Sequence, residues 1–312
     1  MHRRRMIAGL GLATAGAMLP DLATAADVRH LRKTPAFTYC LNASTIRGQE
    51  LGIVNELEIA SEAGYDSMEI WVPGLQKYLD EGGKIDDLRK RIRDLGLTIE
   101  DAIGFAQWIV DDPNVRAAAI EQLKVEMDLL RRVGCKRIAA PPAGATKVPG
   151  LDLDAVAGRY YTVVELGEQM GVMPQLEVWG FSANLHKISQ VMYVLAECGH
   201  PKARVLPDVY HLFKGGSDFD ALKMIDPHMI EIFHMNDYPA SPNREDMDDS
   251  YRVYTGDGIG PVEEVLRDLY AEGQTTVLSL ELFNRDYWAQ DPLEVAKTGL
   301  KKMKACVKKM MW

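Results

Sequence analysis

Short apolar runs alternate with longer segments of helical periodicity along most of the chain. The apolar runs have the length and composition of buried strands, and in most of the segments between them apolar residues recur every three or four positions. Several of these segments end at a glycine, which suits the left-handed residue that closes a helix. The predicted strands are residues 37–42, 67–72, 97–104, 137–140, 173–179, 204–209, 230–236 and 276–283. The predicted helices include residues 85–95, 115–133, 153–170, 185–198 and 262–271.

Eight such strand and helix units predict either a (β/α)₈ barrel or a doubly wound parallel sheet. No glycine-rich phosphate loop follows the first strand, which favours the barrel. The 312 residues could hold two domains, but an α/β barrel uses about 250 residues as one unit. No low-complexity segment or long linker divides the chain. We therefore predict an α/β protein with a single TIM barrel over residues 26–312.

The first residues have the pattern of an export signal. Arg3, Arg4 and Arg5 precede an apolar segment rich in glycine and alanine, and Ala23-Thr24-Ala25 follows as a cleavage pattern. The paired arginines resemble a twin-arginine signal, although Sec export stays open. We predict that residues 1–25 are a signal peptide, that cleavage falls near Ala25, and that the mature protein is periplasmic.

The composition narrows the range of partners. Removal of residues 1–25 takes away three arginines and one aspartate, so the formal net charge changes from −9 to −11. An acidic surface repels nucleic acid, and no later apolar run reaches the roughly 18 residues of a membrane span. The four cysteines are far apart and are predicted to be buried thiols. The sequence leaves a homo-oligomer possible.

Four successive predicted strands carry polar residues that can bind a metal ion. Glu177 and Trp179 share one face of the fifth strand, and Asp208 lies near the end of the sixth. His234 and Glu281 follow in the seventh and eighth. Catalytic groups of a TIM barrel lie at the carboxyl ends of its strands. Three carboxylates and an imidazole suit Mn²⁺ or Mg²⁺, with Zn²⁺ or Co²⁺ possible, and a cation would offset the cost of burying the carboxylates.

Further residues are candidates for substrate binding. His211 follows Asp208 by three positions, and Glu69 and Trp71 share a face near the end of the second strand. For Glu69 and Trp71, packing behind the site and contact with substrate are both open. Arg244 and Arg252 lie in the long loop 238–261, where an arginine can hold a substrate oxygen. Trp179 is a further candidate. A loop of this length in a compact domain is usually functional.

Five segments carry a family resemblance: residues 176–179 (LEVW), 208–211 (DVYH), 233–239 (FHMNDYP), 256–258 (GDG) and 280–283 (LELF). In this order they resemble the sugar phosphate isomerase/epimerase group of the xylose-isomerase-like TIM-barrel superfamily. The resemblance implies that Glu177, Asp208, His234 and Glu281 bind one divalent metal ion. It further implies, as in D-tagatose 3-epimerase and its relatives, that Glu177 and Glu281 exchange a substrate proton and that His211 holds a substrate oxygen. Arg244 lies farther beyond His234 than the family pattern has it.

This site predicts a metal-dependent sugar isomerase or epimerase that acts on a keto-sugar or a related carbohydrate. Glu177 or Glu281 removes a proton next to the carbonyl, and the metal stabilises the enediolate that forms. Expulsion of a β-substituent from the same intermediate would make the enzyme a dehydratase or lyase on a keto-sugar, keto-glycoside or inosose. The sequence does not choose between these outcomes.

Two other classes of function are less favoured. An apurinic endonuclease of the same superfamily needs more histidines, and the second strand offers Glu69 while no histidine follows His234. The acidic charge also disfavours binding of DNA. A non-catalytic sugar-binding protein would not need a complete set of metal ligands. We therefore expect a small carbohydrate as the partner, and no nucleic acid.

Overall fold

Eight parallel strands form the centre of the part of the chain that the structure describes. The structure is a computed structural model and describes residues 35–311. The predicted signal peptide lies outside these residues and stays a prediction. The strands are β1 (Phe37–Asn42), β2 (Ser67–Trp71), β3 (Thr98–Ile103), β4 (Arg137–Ala140), β5 (Met173–Glu177), β6 (Arg204–Leu206), β7 (Ile232–Met235) and β8 (Thr276–Leu280).

The strands follow one another around a barrel. Hydrogen bonds join them in two arcs, with the orders β3-β2-β1-β8-β7 and β4-β5-β6. A parallel bridge between Asp208 and His234 connects the arcs after β6, and the Arg137 side chain of β4 donates a hydrogen bond of 3.3 Å to the Glu100 carbonyl of β3. The prediction of a (β/α)₈ TIM barrel is confirmed.

Helices surround the strands. Their ends follow from local sequence signals: the Asp112 carboxylate accepts a hydrogen bond from the Asn114 amide at 2.8 Å, and Gly134 ends the same helix at a φ of 96°. The apolar faces of these helices pack against the buried strands. The helices are α1 (Ile53–Ala63), α2 (Val72–Asp80), α3 (Ile85–Asp94), α4 (Pro113–Val133), α5 (Leu153–Met170), α6 (Ile188–Cys198), α7 (Val209–Gly215), α8 (Val262–Leu269), α9 (Arg285–Trp288) and α10 (Pro292–Met310).

Several strands end earlier than predicted, and they do so where the functional side chains begin. The sixth strand ends at Leu206 instead of residue 209. Pro207 follows, which has no amide proton for the ladder, and Asp208 then accepts a hydrogen bond from the His211 amide at 2.7 Å and caps α7. Asp208, one of the predicted metal ligands, is therefore also the residue that caps the start of α7.

The long loop after β7 is anchored by one carboxylate. Asp237 accepts hydrogen bonds from the amides of Gly256, Gly258 and Gly260 at 3.1, 3.0 and 2.8 Å. Its backbone also forms an antiparallel bridge with Val253. The loop thereby folds back over the barrel mouth. The bridge at Val253 brings Arg252, the residue before it, into the barrel.

Two predictions made from the composition concern thiols and membrane spans. The cysteines are all buried and free, as predicted: Cys40, Cys135, Cys198 and Cys306. Among the residues that the structure describes, no helix combines the length and the apolar character that crossing a bilayer requires.

Candidate active site and metal centre

Three of the four predicted metal ligands converge at the carboxyl ends of β6, β7 and β8. Asp208, His234 and Glu281 each place a donor atom within 4.8 Å of the others. Asp208 and His234 are fully buried, and Glu281 is 3% exposed. The register that brings them together is set by the backbone, because the His234 amide donates a hydrogen bond of 3.0 Å to the Pro207 carbonyl.

A buried carboxylate fixes the orientation of His234. Its Nε2 lies 3.0 Å from Glu69 Oε1, so Nδ1 faces the ligand cluster, 3.2 Å from Glu281 Oε2. Nδ1 has no hydrogen-bond partner among the described residues. A carboxylate that holds the distal nitrogen of a histidine is the usual support of a metal-binding imidazole.

The same contacts change the interpretation of Glu69. Its Oε2 accepts hydrogen bonds from Ser279 Oγ at 2.6 Å and Asn42 Nδ2 at 2.8 Å, while Oε1 is taken by His234. Both oxygens are occupied, and the side chain is fully buried below the cavity. The assignment of Glu69 to substrate binding is therefore replaced by support of His234, the alternative that the sequence left open.

Glu177 lies apart from the other three ligands. It ends β5, is 2% exposed, and its Oε2 has no hydrogen-bond partner within the described part of the chain. Burial raises the pKa of Glu177 to about 8; the charge of His234 opposes this rise, and that of Glu281 adds to it. Such a carboxyl group exchanges a proton readily near neutral pH.

These residues fit a divalent metal ion. Asp208, His234 and Glu281 form a compact donor set, and the unpartnered atoms Nδ1 of His234 and Oε2 of Glu177 are buried polar atoms that a cation would satisfy. Carboxylate oxygens with one imidazole suit a hard or borderline ion. Glu177 would join the set from the neighbouring strand end.

Arg252 enters this cluster from the long loop. Its Nη1 donates hydrogen bonds to Asp208 Oδ2 at 2.6 Å and Glu281 Oε2 at 2.8 Å, and its Nη2 binds Asp249 at 2.9 Å. Although burial opposes ionisation, the guanidinium holds the pKa of Asp208 well below its ordinary value. Arg252 is thus a fixed positive charge at the edge of the site.

His211 is held in its neutral form beside Arg252. Burial lowers the pKa of His211, and the Arg252 charge lowers it further. Its Nε2 lies 3.0 Å from Arg252 Nη2, which is a donor, so Nε2 accepts and the ring proton is on Nδ1. Nδ1 is buried and has no hydrogen-bond partner in the described structure.

A cavity of about 160 Å³ lies against these groups. Its polar lining residues are Glu177, His211, Asp249, Arg252 and Glu281. Aromatic side chains form much of the remaining wall: Trp71, Phe105, Trp179, Phe181 and Phe283. Aromatic faces and a few convergent polar groups are the usual surroundings of a small carbohydrate, whose ring has apolar faces and a polar rim.

The structure does not bring Arg244 to this cavity. Its side chain is 44% exposed and pairs with Glu245 at 3.2 Å. Of the two loop arginines considered, Arg252 alone lines the cavity. Arg244 belongs to a short 3₁₀ turn, whereas Arg252 follows a turn that returns the chain toward the strands. The interpretation of Arg244 as a substrate-binding residue is therefore corrected.

Among the polar residues at the site that were not predicted from the sequence are Asn42 and Asp249. Asn42 ends β1 and donates hydrogen bonds to Glu69 at 2.8 Å and to Glu281 at 3.3 Å. The rule that strand ends carry function would have found it. Asp249 binds Arg252 from inside the long loop, where one acid among several gives no signal.

A second group of acids around a histidine lies away from the barrel mouth. Glu165 and Glu168 of α5 approach His200, whose Nε2 lies 3.1 Å from Glu165. Because His200 Nδ1 accepts a hydrogen bond from the Lys202 amide at 3.1 Å, the ring proton is on Nε2 and faces Glu165. The group is satisfied as an ordinary hydrogen-bond network.

Comparison with known proteins places the chain in a family. The family model of the xylose isomerase-like TIM barrel matches residues 57–306, and the chain belongs to this family. The chain is similar to an inosose isomerase of Bacillus velezensis, with 24% identity over 86% of this chain and 97% of that protein.

Other relatives differ in activity or are known as structures. A 3-dehydroshikimate dehydratase of Pseudomonas putida is 22% identical over 80% of this chain and 39% of that protein. A crystal structure of IOLI protein with a bound zinc atom has a TM-score of 0.80 and 22% identity, covering 88% of this chain and 99% of that one. This likeness supports the barrel fold.

Proposed function

We propose that this protein is a divalent-metal-dependent sugar isomerase or epimerase whose substrate is a keto-sugar or a related carbohydrate. The observation that carries the proposal is that Glu177 and Glu281 line one cavity, beside a buried donor set of Asp208, His234 and Glu281. Family membership and the similarity to an inosose isomerase support an enzyme of the sugar isomerase, epimerase or dehydratase group.

The two glutamates have different surroundings, which suits opposite roles in proton transfer. Glu281 accepts hydrogen bonds from Arg252 at 2.8 Å and from Asn42 at 3.3 Å. Glu177 has a pKa raised to about 8 by burial. One carboxylate can accept the proton next to a carbonyl while the other returns a proton.

The remaining polar residues position the substrate. His211 donates from Nδ1 to a substrate oxygen, and Arg252 presents its charge where negative charge develops. The chemistry that a bound divalent ion supplies is polarisation of the carbonyl, for which Mn²⁺ or Mg²⁺ is proposed. The aromatic wall excludes water and holds the apolar face of the ring.

Dehydration is the second candidate activity. It would use the same proton abstraction, followed by loss of a β-hydroxyl or β-glycosyl group. The similarity to a 3-dehydroshikimate dehydratase supports elimination as this second candidate. Product analysis separates the two, because an isomerase conserves the mass of its substrate, whereas elimination releases water from a β-hydroxyl or an alcohol from a β-glycosyl group.

Proton exchange with solvent tests the proposal. Metal-free protein is reconstituted with Mn²⁺, Mg²⁺, Zn²⁺ or Co²⁺ and incubated in D₂O with ketoses, inososes and 3-keto-glycosides, and NMR follows deuterium incorporation and product stereochemistry. Glu281→Gln and Glu177→Gln are each expected to lower exchange by about a hundredfold or more. Glu126→Gln, a change of a buried glutamate in α4, is the matched control. Exchange that persists in both active-site variants refutes the proposal.

A further inference from the structure

A second, outer cavity of about 250 Å³ adjoins the reaction cavity. Trp71 and Phe105 line both cavities, so the two spaces share one wall. The other residues around the outer cavity come from the segment after β1 and from helices α1 and α2: Ala43, Arg47, Ile53, Glu56, Pro73 and Gly74. None of them belongs to the proposed metal centre.

The shared wall is fixed in place. Trp71 Nε1 donates a hydrogen bond of 3.1 Å to Asn42 Oδ1, and the Phe105 ring lies 5.3 Å from the Trp71 ring between centroids. The Arg47 guanidinium lies 4.4 Å from the same indole centroid. A rigid aromatic surface with a donor beside it favours binding of a hydroxylated ring.

Two side chains that can be charged border the outer cavity, Glu56 and Arg47. Glu56 is partly buried, and Arg47 is exposed to solvent. Burial raises the pKa of Glu56 to about 7, so near neutral pH its carboxyl group can donate as well as accept. One acid and one base leave the cavity nearly neutral, which favours an uncharged polyhydroxylated ligand over an ion.

The reaction cavity alone is small. Its volume of about 160 Å³ lies below the roughly 300 Å³ at which pockets for larger ligands begin. A single sugar ring therefore fills it, and a group attached on the side of Trp71 and Phe105 would extend into the outer cavity.

We propose that the outer cavity binds a second sugar unit, so that the substrate is a keto-glycoside of disaccharide size. Its oxidised ring lies between Glu177 and Glu281, and its second ring lies against Trp71 with hydroxyl groups bound to Glu56 and Arg47. This inference rests on the proposed function for the reacting ring and adds the class of substrate.

Gly74 offers a direct way to block the outer cavity. A Cβ added at Gly74 would meet no atom within 4 Å, and the residue lies in α2 with an ordinary helical backbone. Gly74→Leu therefore fills the cavity without disturbing its neighbours. Gly158→Leu, an exposed glycine of α5 with equally open surroundings, is the matched control.

The test measures binding and exchange with two probes, 3-ketocellobiose and methyl 3-keto-β-D-glucopyranoside, on the metal-loaded protein. We expect calorimetry to give a Kd about tenfold lower for the disaccharide, the effect of one or two added hydrogen bonds. Gly74→Leu and the double change of Glu56→Leu and Arg47→Met should each abolish this preference, and Gly158→Leu should retain it.

The outcomes separate the two proposals. Equal binding of both probes, or a preference that survives Gly74→Leu, overturns the outer sugar site even if deuterium exchange is intact. A preference that Gly74→Leu abolishes, without exchange of either probe, supports the outer site and refutes the proposed chemistry. Failure of both probes to bind contradicts both proposals.

Discussion

Glu69 and Arg252 show how much of this site depends on side chains that do not react. Glu69 uses both oxygens to hold His234, Ser279 and Asn42 below the cavity. Arg252 neutralises the buried carboxylates of Asp208 and Glu281 from above. A buried charge is tolerated only with such partners, so the ligand geometry is set before any ion binds.

Glu69→Gln should weaken metal binding. The amide can still contact His234 but loses the negative charge that raises the basicity of the ring, and loss of such a partner typically lowers metal affinity about 10-fold to 100-fold. Competition with a coloured chelator measures the affinity, and circular dichroism checks the fold. Glu62→Gln, an exposed change on α1, is the control. An unchanged metal affinity in Glu69→Gln would show that this support is unimportant.

Single residues could be predicted from the sequence where a residue type that can bind a metal ion lies at the end of a predicted strand. This rule selects four residues that the structure places at the barrel mouth: Glu177, Asp208, His234 and Glu281. Arg244 and Arg252 could not be ranked, because the fold of a long loop decides which one turns inward.

At the scale of elements, strand starts were predictable and strand ends were not. The predicted starts of six strands coincide with the observed ones: β1, β2, β4, β5, β6 and β8. Six of the eight predicted ends lie beyond the observed ones, because the apolar pattern continues into residues that leave the ladder. Trp179 and Phe283 are examples: both follow their strands and line the cavity.

The loop that carries Arg252 depends on glycine where it returns to Asp237. A Cβ at Gly258 would overlap the Tyr238 carbonyl oxygen and the Asp237 carboxylate. Gly258→Ala should therefore displace the loop end and withdraw Arg252, which lowers kcat/KM by about tenfold or more, while the barrel stays folded. Hydrogen exchange of residues 238–261 measures the displacement. Gly158→Ala in α5 is the control, and normal loop protection in Gly258→Ala would contradict the prediction.

The described part of the molecule is a barrel whose fold could be predicted from eight repeated units of strand and helix. Length, alternation and the lack of a phosphate loop were sufficient for that prediction. The closure of the long loop and the outer cavity could not be predicted, because both depend on contacts between segments distant in sequence, such as Arg47 with Trp71.

The stability of the metal-free protein should fall as pH rises. Glu177 has an ordinary pKa of 4.5 and a folded-state pKa of about 8. Between these values the folded chain holds a proton that the unfolded chain has lost, so raising the pH favours unfolding, by a free energy of about 1–3 kcal/mol. Urea titrations at about pH 5 and about pH 8 measure this change.

Glu177→Gln is the comparison that isolates this group. The variant cannot ionise at this position, so its free energy of unfolding should depend less on pH than that of the unmodified protein. Excess Mn²⁺ should also reduce the loss, because a cation favours the ionised carboxylate. Equal pH dependence in both proteins would show that Glu177 has an ordinary pKa.

The Asn42 side chain links Trp71, which lines both cavities, to Glu281. Its oxygen accepts the indole proton of Trp71, and its nitrogen donates to Glu69 and Glu281. Under the two proposals above, the second sugar unit of the substrate would contact an indole that a single amide links to Glu281. Occupancy of the outer cavity and the position of this carboxylate would then be coupled through Asn42.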